Sequence, residues 1–201
     1  DAVDRPQEGE RVSTIEELEY ALSLGPVRVA VDAGAHFGAW TKRLLSVGAF
    51  VHAIEPCPHN RGRLRQETGG LDGVRIYGCA LSDADGEADL YTGCPSTVAS
   101  IDPRWPAHEF AADYVAPQEK VRVETLRWSS FCEVAGLLTT PIDLLKLDCE
   151  GMDARILADL ARTGPFPDRV VAEFGALGSL GVEMADAHLA LGGLGFVHPG
   201  A

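Results

Sequence analysis

Val31-Asp32-Ala33-Gly34-Ala35-His36-Phe37-Gly38 is the stretch on which the fold of this chain turns. An apolar run from Val27 to Val31 leads into it. Phe37, Trp40, Thr41, Leu44, Leu45 and Val47 lead out of it at near-helical spacing until Gly48 stops the pattern. The spacing predicts strand, tight turn, helix. Gly34 permits a backbone conformation that other residues resist and lets a ligand approach the main chain, while Gly38 permits close packing of helix on strand. Asp32 is expected to set a carboxylate at the lip of the turn. Open α/β sheets bind ligands at the carboxyl ends of their strands, so this turn, with Ala33, His36 and Phe37 in it, is the first candidate binding element.

Outward from it, apolar and helix-like stretches alternate. Phe50–Ile54 reads as a second strand closed by Glu55-Pro56, and His59–Thr68 as a helix punctuated by Gly69 and Gly70. Val74–Leu81 is a third strand. Ile142–Leu147 is a fourth, nearly all apolar as expected when both sheet faces are covered. Asp85-Gly86 is a turn before a short strand at Ala88–Tyr91, and Val121–Leu126 alternates like a strand. Helical patterns occupy Ser129–Ala135, Arg155–Arg162 and Val182–Leu191, with a fifth main strand at Val170–Phe174 and the start of a sixth at Phe196-Val197. This order predicts an α/β fold with a mostly parallel central sheet and helices on both faces. At roughly 150 residues per domain, residues 1–201 form one domain. Residues 93–119 interrupt the pattern with Pro95, Pro103, Pro106 and Pro117. Within this irregular insertion Trp105, Phe110 and Tyr114 either pin the loop to the core or contact substrate as part of a lid.

Thirty acidic against 17 basic residues give a net charge of -13, with 46% hydrophobic residues. Such an excess repels polyphosphate and anionic lipid, and no run of Lys or Arg offsets it. Neither a nucleic-acid nor a membrane-surface role is expected. The five cysteines, Cys57, Cys79, Cys94, Cys132 and Cys149, lack metal-site spacing and fit reduced thiols in a cytoplasmic protein. Cys79 and Cys149 fall in apolar runs, as buried small hydrophobes do. Asp1–Arg11 is not signal-like, and no apolar run reaches the roughly 18 residues of a membrane span. Oligomeric state is not legible at this level.

The turn chemistry narrows the ligand. A pyrophosphate fingerprint needs a middle glycine where this chain has His36, and an acid precedes the turn. S-adenosylmethionine has the opposite character: no phosphate, but an ammonium and a sulfonium that acids attract. Asp32 can accept from the ammonium. Glu55, 21 residues after Gly34, stands where an acid receives ribose hydroxyls, and Ser82-Asp83 stands at the third strand's end, suited to the adenine amine. Singly these are ordinary turn residues; in this order they describe one nucleoside-type cofactor.

Ile142-Asp143-Leu144-Leu145-Lys146-Leu147-Asp148-Cys149-Glu150-Gly151 closes the fourth strand. Period-two alternation is expected to send Lys146, Asp148 and Glu150 to one face. A carboxylate there can take the proton of an acceptor hydroxyl while the ammonium supports it; a plain Lys-Asp ion pair closing the strand is the alternative.

With these motifs the chain resembles the FkbM-like family of S-adenosylmethionine-dependent methyltransferases. The resemblance rests on Val31–Gly38, Ala53-Ile54-Glu55-Pro56, Ala80-Leu81-Ser82-Asp83 with Gly86, and Ile142–Gly151, and covers roughly Arg28 to Leu160. It implies a Rossmann-like class I methyltransferase fold and methyl transfer, commonly to a hydroxyl oxygen of a sugar or other specialised metabolite. Asp32, Gly34 and Gly38 would then belong to the methionine end, Glu55 to the ribose and Ser82-Asp83 to the adenine. Asp148 and Glu150 would stand nearest the chemistry. His36 departs from the usual Asn, Trp128 lies near a position often acidic, and with Ala201 as the last residue the antiparallel seventh strand of such folds is expected to be missing or the edge to be built otherwise.

The implied mechanism is direct displacement with alignment and water exclusion dominant. Asp148 is the first candidate base, Glu150 the second and Glu173 the third, with Lys146 as electrostatic support and His36, His59 and His108 as weaker alternatives. No resident metal is expected, although Asp148, Glu150 and His36 could in principle gather around a divalent cation. Two rivals remain: a noncatalytic scaffold that keeps the cofactor pocket, and a nicotinamide-dependent reductase, which the missing middle glycine disfavours.

Overall fold

The computed structural model describes residues 8–92, 99–103 and 119–172. In chain order the elements are α1 (Glu8–Ser23), β1 (Val29–Ala33), α2 (Ala39–Ser46), β2 (Phe50–Ile54), α3 (Pro58–Thr68), β3 (Val74–Tyr77), β4 (Ala80–Leu81), β5 (Gly86–Thr92), β6 (Glu119–Leu126), α4 (Trp128–Ala135), β7 (Leu144–Leu147), α5 (Asp153–Thr163) and β8 (Val170–Ala172). Five strands form an all-parallel sheet in the order β3-β2-β1-β7-β8. The order reverses direction at β1, the switch point where a doubly wound sheet opens a crevice at its carboxyl edge. A second sheet, β4-β6-β5, pairs β4 parallel and β5 antiparallel with β6.

Alternation along each central strand feeds two cores. Val31 and Ala33 of β1, Ile54 of β2 and Leu145 and Leu147 of β7 pack with Trp128 and Phe131 of α4 and Ile156, Leu157 and Leu160 of α5. Ala30, Val51, Ala53 and Leu144 pack on the opposite face with Leu18 and Ala21 of α1, Trp40 and Leu44 of α2 and Leu64 of α3. The sheet is covered on both faces, the Rossmann-like arrangement expected. The run of α1 carries no such periodic signal: the helix is anchored through Leu18 and Ala21, and the sequence reading did not foresee it.

Three expectations need correction. The first strand begins at Val29, not Val27, because the amides of Arg28 and Val29 are taken by Asp143 Oδ2 at 2.8 and 2.9 Å. The third strand is broken. Val74–Tyr77 pairs with β2, whereas Ala80–Leu81 leaves to pair with β6, so Ser82-Asp83 ends a strand of the second sheet. The fourth strand begins at Leu144, not Ile142, and stops at Leu147 as expected. The insertion departs and returns at one point, since Thr92 and Glu119 are paired, and Glu119 already belongs to β6. Trp105, His108, Phe110, Tyr114, Glu173, the helix expected at Val182–Leu191, the strand at Phe196-Val197 and any seventh strand lie outside the described residues. Among the described residues no helix is long and apolar enough to cross a membrane.

Candidate functional site

The site grows from register. Asp32 of β1 pairs with Ala53 on one side and Lys146 of β7 on the other, which sets the three side chains on one face of the sheet. The Lys146 ammonium lies 3.5 Å from Asp32 Oδ1 and 3.1 Å from Asp148 Oδ2, and it donates to the Gly34 carbonyl at 2.7 Å. Burial disfavours its charge, but the carboxylates of Asp148 and Asp32 outweigh that and hold Lys146 above the usual lysine range. Thr41 of α2 donates to Asp32 Oδ2 at 2.6 Å. Asp32 is therefore not at the lip of the turn, as expected, but fully buried beneath it. Its Oδ1 accepts no hydrogen bond from the described residues and has Lys146 as its nearest cation.

Above this layer the turn is shaped by glycine. Gly34 has φ 75°, and a Cβ there would run into the backbone carbonyl of Asp148. The ends of β1 and β7 are thus in backbone contact through a position that tolerates no side chain. Gly38 has φ 84°, with Leu64 Cδ1 only 2.5 Å from where its Cβ would stand. His36 has φ 49°. That left-handed conformation is one in which Asn, Asp and His are enriched, which accounts for His in place of Asn. Its ring stacks on Phe37 at 3.6 Å, and the Arg63 guanidinium caps the other aromatic at 4.0 Å. His59 meets Phe37 edge-on.

Glu55 follows β2 and is buried. Its Oε2 accepts from the His36 amide and its Oε1 from the Cys57 amide, both at 2.8 Å. Burial raises its pKa to about 7, against the pull of those two amides, Lys146 and Arg61. A carboxylate has about four lone-pair sites, so each oxygen keeps one free, as a ribose diol requires. This buried, half-satisfied acceptor fits the nucleoside expected here. Pro58 keeps the preceding Cys57 extended and itself occupies the first helical turn of α3, a position Pro favours. Ser82 is buried, its amide bonded to the Leu126 carbonyl and its hydroxyl 3.2 Å from Asp83 Oδ1. Asp83 also faces Arg155 of α5 at 3.9 Å. The acids thus come as two from the main sheet and one from the end of β4, not from three successive strands of one sheet.

Past β7 the alternation gives out. The Asp148 amide still bonds the Ala33 carbonyl at 3.2 Å, but Glu150 has φ 46° and Gly151 φ 96°. Lys146 and Asp148 are brought together as expected, whereas Glu150 sits in a left-handed turn rather than on a continuing strand. The Asp148 side chain is 28% exposed against 7% for Lys146 and 0% for Asp32, so of these three it is the one open to solvent. The Glu150 carbonyl accepts from the buried Ser100 hydroxyl at 2.6 Å. Asp153, at the start of α5, receives the Cys149 amide at 3.1 and 3.3 Å; burial and then the charge of Asp148 raise its pKa to about 7.

The sequence reading missed Thr41, Arg61, Ser100 and Asp153. Only Asp153 left a signal, an acid in the first turn of a helix; the others act across the chain. Trp128, flagged as a departure, is a core residue whose Nε1 donates to the Pro165 carbonyl at 2.8 Å. Burial pushes the Cys79 thiol up to about 11 and the Cys132 thiol up to about 12, and it raises Cys149 far above the thiol range, so these thiols are poor nucleophiles. Among the described residues no group of three or more His, Cys, Asp and Glu side chains could hold a metal ion, and the grouping of His36, Asp148 and Glu150 does not form.

The family model described as the methyltransferase FkbM domain matches residues 32–175. Over 144 residues the chain is 28% identical to the 2-O-methyltransferase NoeI of Sinorhizobium fredii (strain NBRC 101917 / NGR234), a match covering 66% of this chain and 57% of that protein. The chain therefore spans less than two thirds of that relative. Among solved structures it is similar to the precorrin-6y C5,15-methyltransferase of Geobacter metallireducens GS-15, with TM-score 0.48, 14% identity, and coverage of 93% of this chain and 74% of that one. It is also similar to a SAM-dependent methyltransferase of Agrobacterium tumefaciens, with TM-score 0.47, 8% identity, and coverage of 89% and 50%.

Proposed function

From the premise that this chain belongs to the methyltransferase FkbM family, which uses S-adenosylmethionine, we propose that it methylates a hydroxyl oxygen of a sugar or other hydroxylated specialised metabolite. The observation that carries this reading is the convergence of buried Glu55, the Gly34 turn and the Lys146–Asp148 pair at one carboxyl edge of the sheet. The name of the similar NoeI protein, a 2-O-methyltransferase, supports oxygen as the acceptor atom. When bound, S-adenosylmethionine supplies an electrophilic methyl group on a positively charged sulfur. Glu55 receives the ribose hydroxyls, Ser82-Asp83 the adenine amine, and Asp32, Gly34 and Gly38 shape the methionine end. Asp148 takes the acceptor's hydroxyl proton onto a carboxylate oxygen, and Lys146, already paired with it, fixes the direction of that oxygen. Free thiols at Cys57, Cys79, Cys132 and Cys149 are consistent with a reducing, cytoplasmic setting.

A ligand that binds only the native state raises the melting temperature. S-adenosylmethionine is expected to do so and NAD is not. Mass analysis of hydroxylated acceptors incubated with the protein and S-adenosylmethionine should then find a gain of one methyl unit. Cofactor binding with no methyl transfer to any acceptor would support the scaffold reading instead, and a response to NAD alone would support the reductase.

A further inference from the structure

Arg61, in the first turn of α3, is absent from every motif of the sequence yet spans the part of the site assigned to the nucleoside. One of its guanidinium nitrogens, Nη1, donates to the carbonyl of Glu55 at 3.0 Å and to that of Pro56 at 2.8 Å. The same guanidinium lies across Gly78, where an added Cβ would stand 3.0 to 3.2 Å from its atoms. Gly78 is the residue at which the chain leaves β3 for β4. One side chain therefore ties the end of β2 to the break that redirects Ser82-Asp83. It does so with a fixed planar fork, which a lysine cannot reproduce.

We propose that Arg61 is a positioning residue for cofactor binding, its guanidinium setting the direction of the Glu55 carboxylate through the Glu55-Pro56 backbone and placing a positive charge beside it. This rests on the reading of Glu55 as the ribose acceptor. The charged and titratable groups around Glu55 are Lys146 from β7, Arg61 from α3, His36 from the turn after β1 and Cys57 at the start of α3. Lys146 is already occupied by two carboxylates. Arg61 has backbone carbonyls among its partners, so part of its charge remains to act on Glu55. A ribose diol donates to a carboxylate but competes with the proton of a carboxylic acid, so binding should weaken as Glu55 protonates.

The test uses S-adenosylhomocysteine, measured by calorimetry from about pH 5 to about pH 9, with melting temperature as the folding control. For the wild-type protein, affinity should fall about tenfold per pH unit below the midpoint set by Glu55. In Arg61→Ala the midpoint should move to higher pH. Arg61→Lys, which keeps charge but not the fork, should leave the midpoint near its wild-type position while weakening binding at every pH. An unmoved midpoint in a folded Arg61→Ala protein overturns the proposal; if that variant does not fold, Arg61→Gln takes its place with the same expectation. Glu55→Gln separates the two ideas. Binding as tight as wild type with the titration intact means that Glu55 is not the ribose acceptor, whatever Arg61 does.

Discussion

Lys146 Nζ donates to the carbonyl oxygen of Gly34 at 2.7 Å, so the last turns of β7 and β1 are joined by a buried ammonium before any ligand arrives. The same nitrogen is the counter-charge for Asp32 and Asp148. Two carboxylates against one ammonium leave this layer with one net negative charge, the sign that attracts a cationic ligand.

Removing that ammonium should therefore destabilise the fold as well as the site. Breaking a buried ion pair by deleting one partner costs about 3–5 kcal/mol, because the other charge is left without compensation. Lys146→Met is expected to lose about that much in urea denaturation. Adding Asp32→Asn should restore part of the loss, since one stranded charge is then gone. A Lys146→Met protein as stable as wild type would show that this network is not electrostatically coupled.

The two glycines of the first turn should differ in their tolerance. A positive φ costs an L-residue about 1–2 kcal/mol, and both Gly34 and Gly38 have one. At Gly34 the added methyl meets the main chain of Asp148, which cannot turn aside; at Gly38 it meets a terminal methyl of Leu64, which can. Gly34→Ala is expected to be the less stable of the two by denaturation midpoint and to lose S-adenosylhomocysteine binding. The reverse order would mean that the β1–β7 contact is loose.

How much of this could be read from the sequence depended on distance along the chain. Phe50–Ile54 emerged with its observed limits because Gly48 and Glu55-Pro56 bracket it locally. Asp32, Glu55 and Asp148 were legible because each follows or ends an apolar run next to a turn. The break at Gly78 was not, since Val74–Leu81 reads as one apolar run and only the guanidinium of Arg61, 17 residues earlier in the chain, and the pairing of β4 with β6 decide where it splits. Likewise period two predicted the meeting of Lys146 with Asp148 but extended one residue pair too far. The positive φ of Glu150 comes with a hydrogen bond from Ser100, 50 residues away.

Ligand-free stability should fall as pH rises toward neutrality. Glu55 and Asp153 have pKa values of about 7 in the folded protein against ordinary values of 4.5 and 3.8. The unfolded chain loses these protons first. Their contribution is therefore fully present below the ordinary values and is lost as pH rises through about 7. Asp85 and Asp143, whose pKa values are lowered, act in the opposite sense only below about pH 4; His52, which burial lowers from 6.5 to about 4, opposes the trend as pH falls below 6.5, but one histidine is outweighed by the two raised acids. The melting temperature should be higher near about pH 5 than near about pH 7.5, and Asp153→Asn, which can still accept the Cys149 amide, should flatten that slope. An unchanged slope in the variant would remove Asp153 from the account.

The choice of base turns on which carboxylate an acceptor can touch. Asp32 is fully buried and Asp148 is not, and the Lys146 ammonium beside Asp148 Oδ2 at 3.1 Å fixes that carboxylate in place. A positioned general base contributes about 10²–10⁴-fold. Once an acceptor is found, Asp148→Asn should lower kcat by that order, flatten the acid limb of the pH–rate profile, and leave S-adenosylhomocysteine affinity within a few-fold of wild type. Glu150→Gln should do less, because its backbone has already turned away from the strand face that carries Lys146. If Glu150→Gln abolishes the acid limb while Asp148→Asn keeps it, the proton goes to Glu150, and the Lys146–Asp148 pair is a structural closure of the strand.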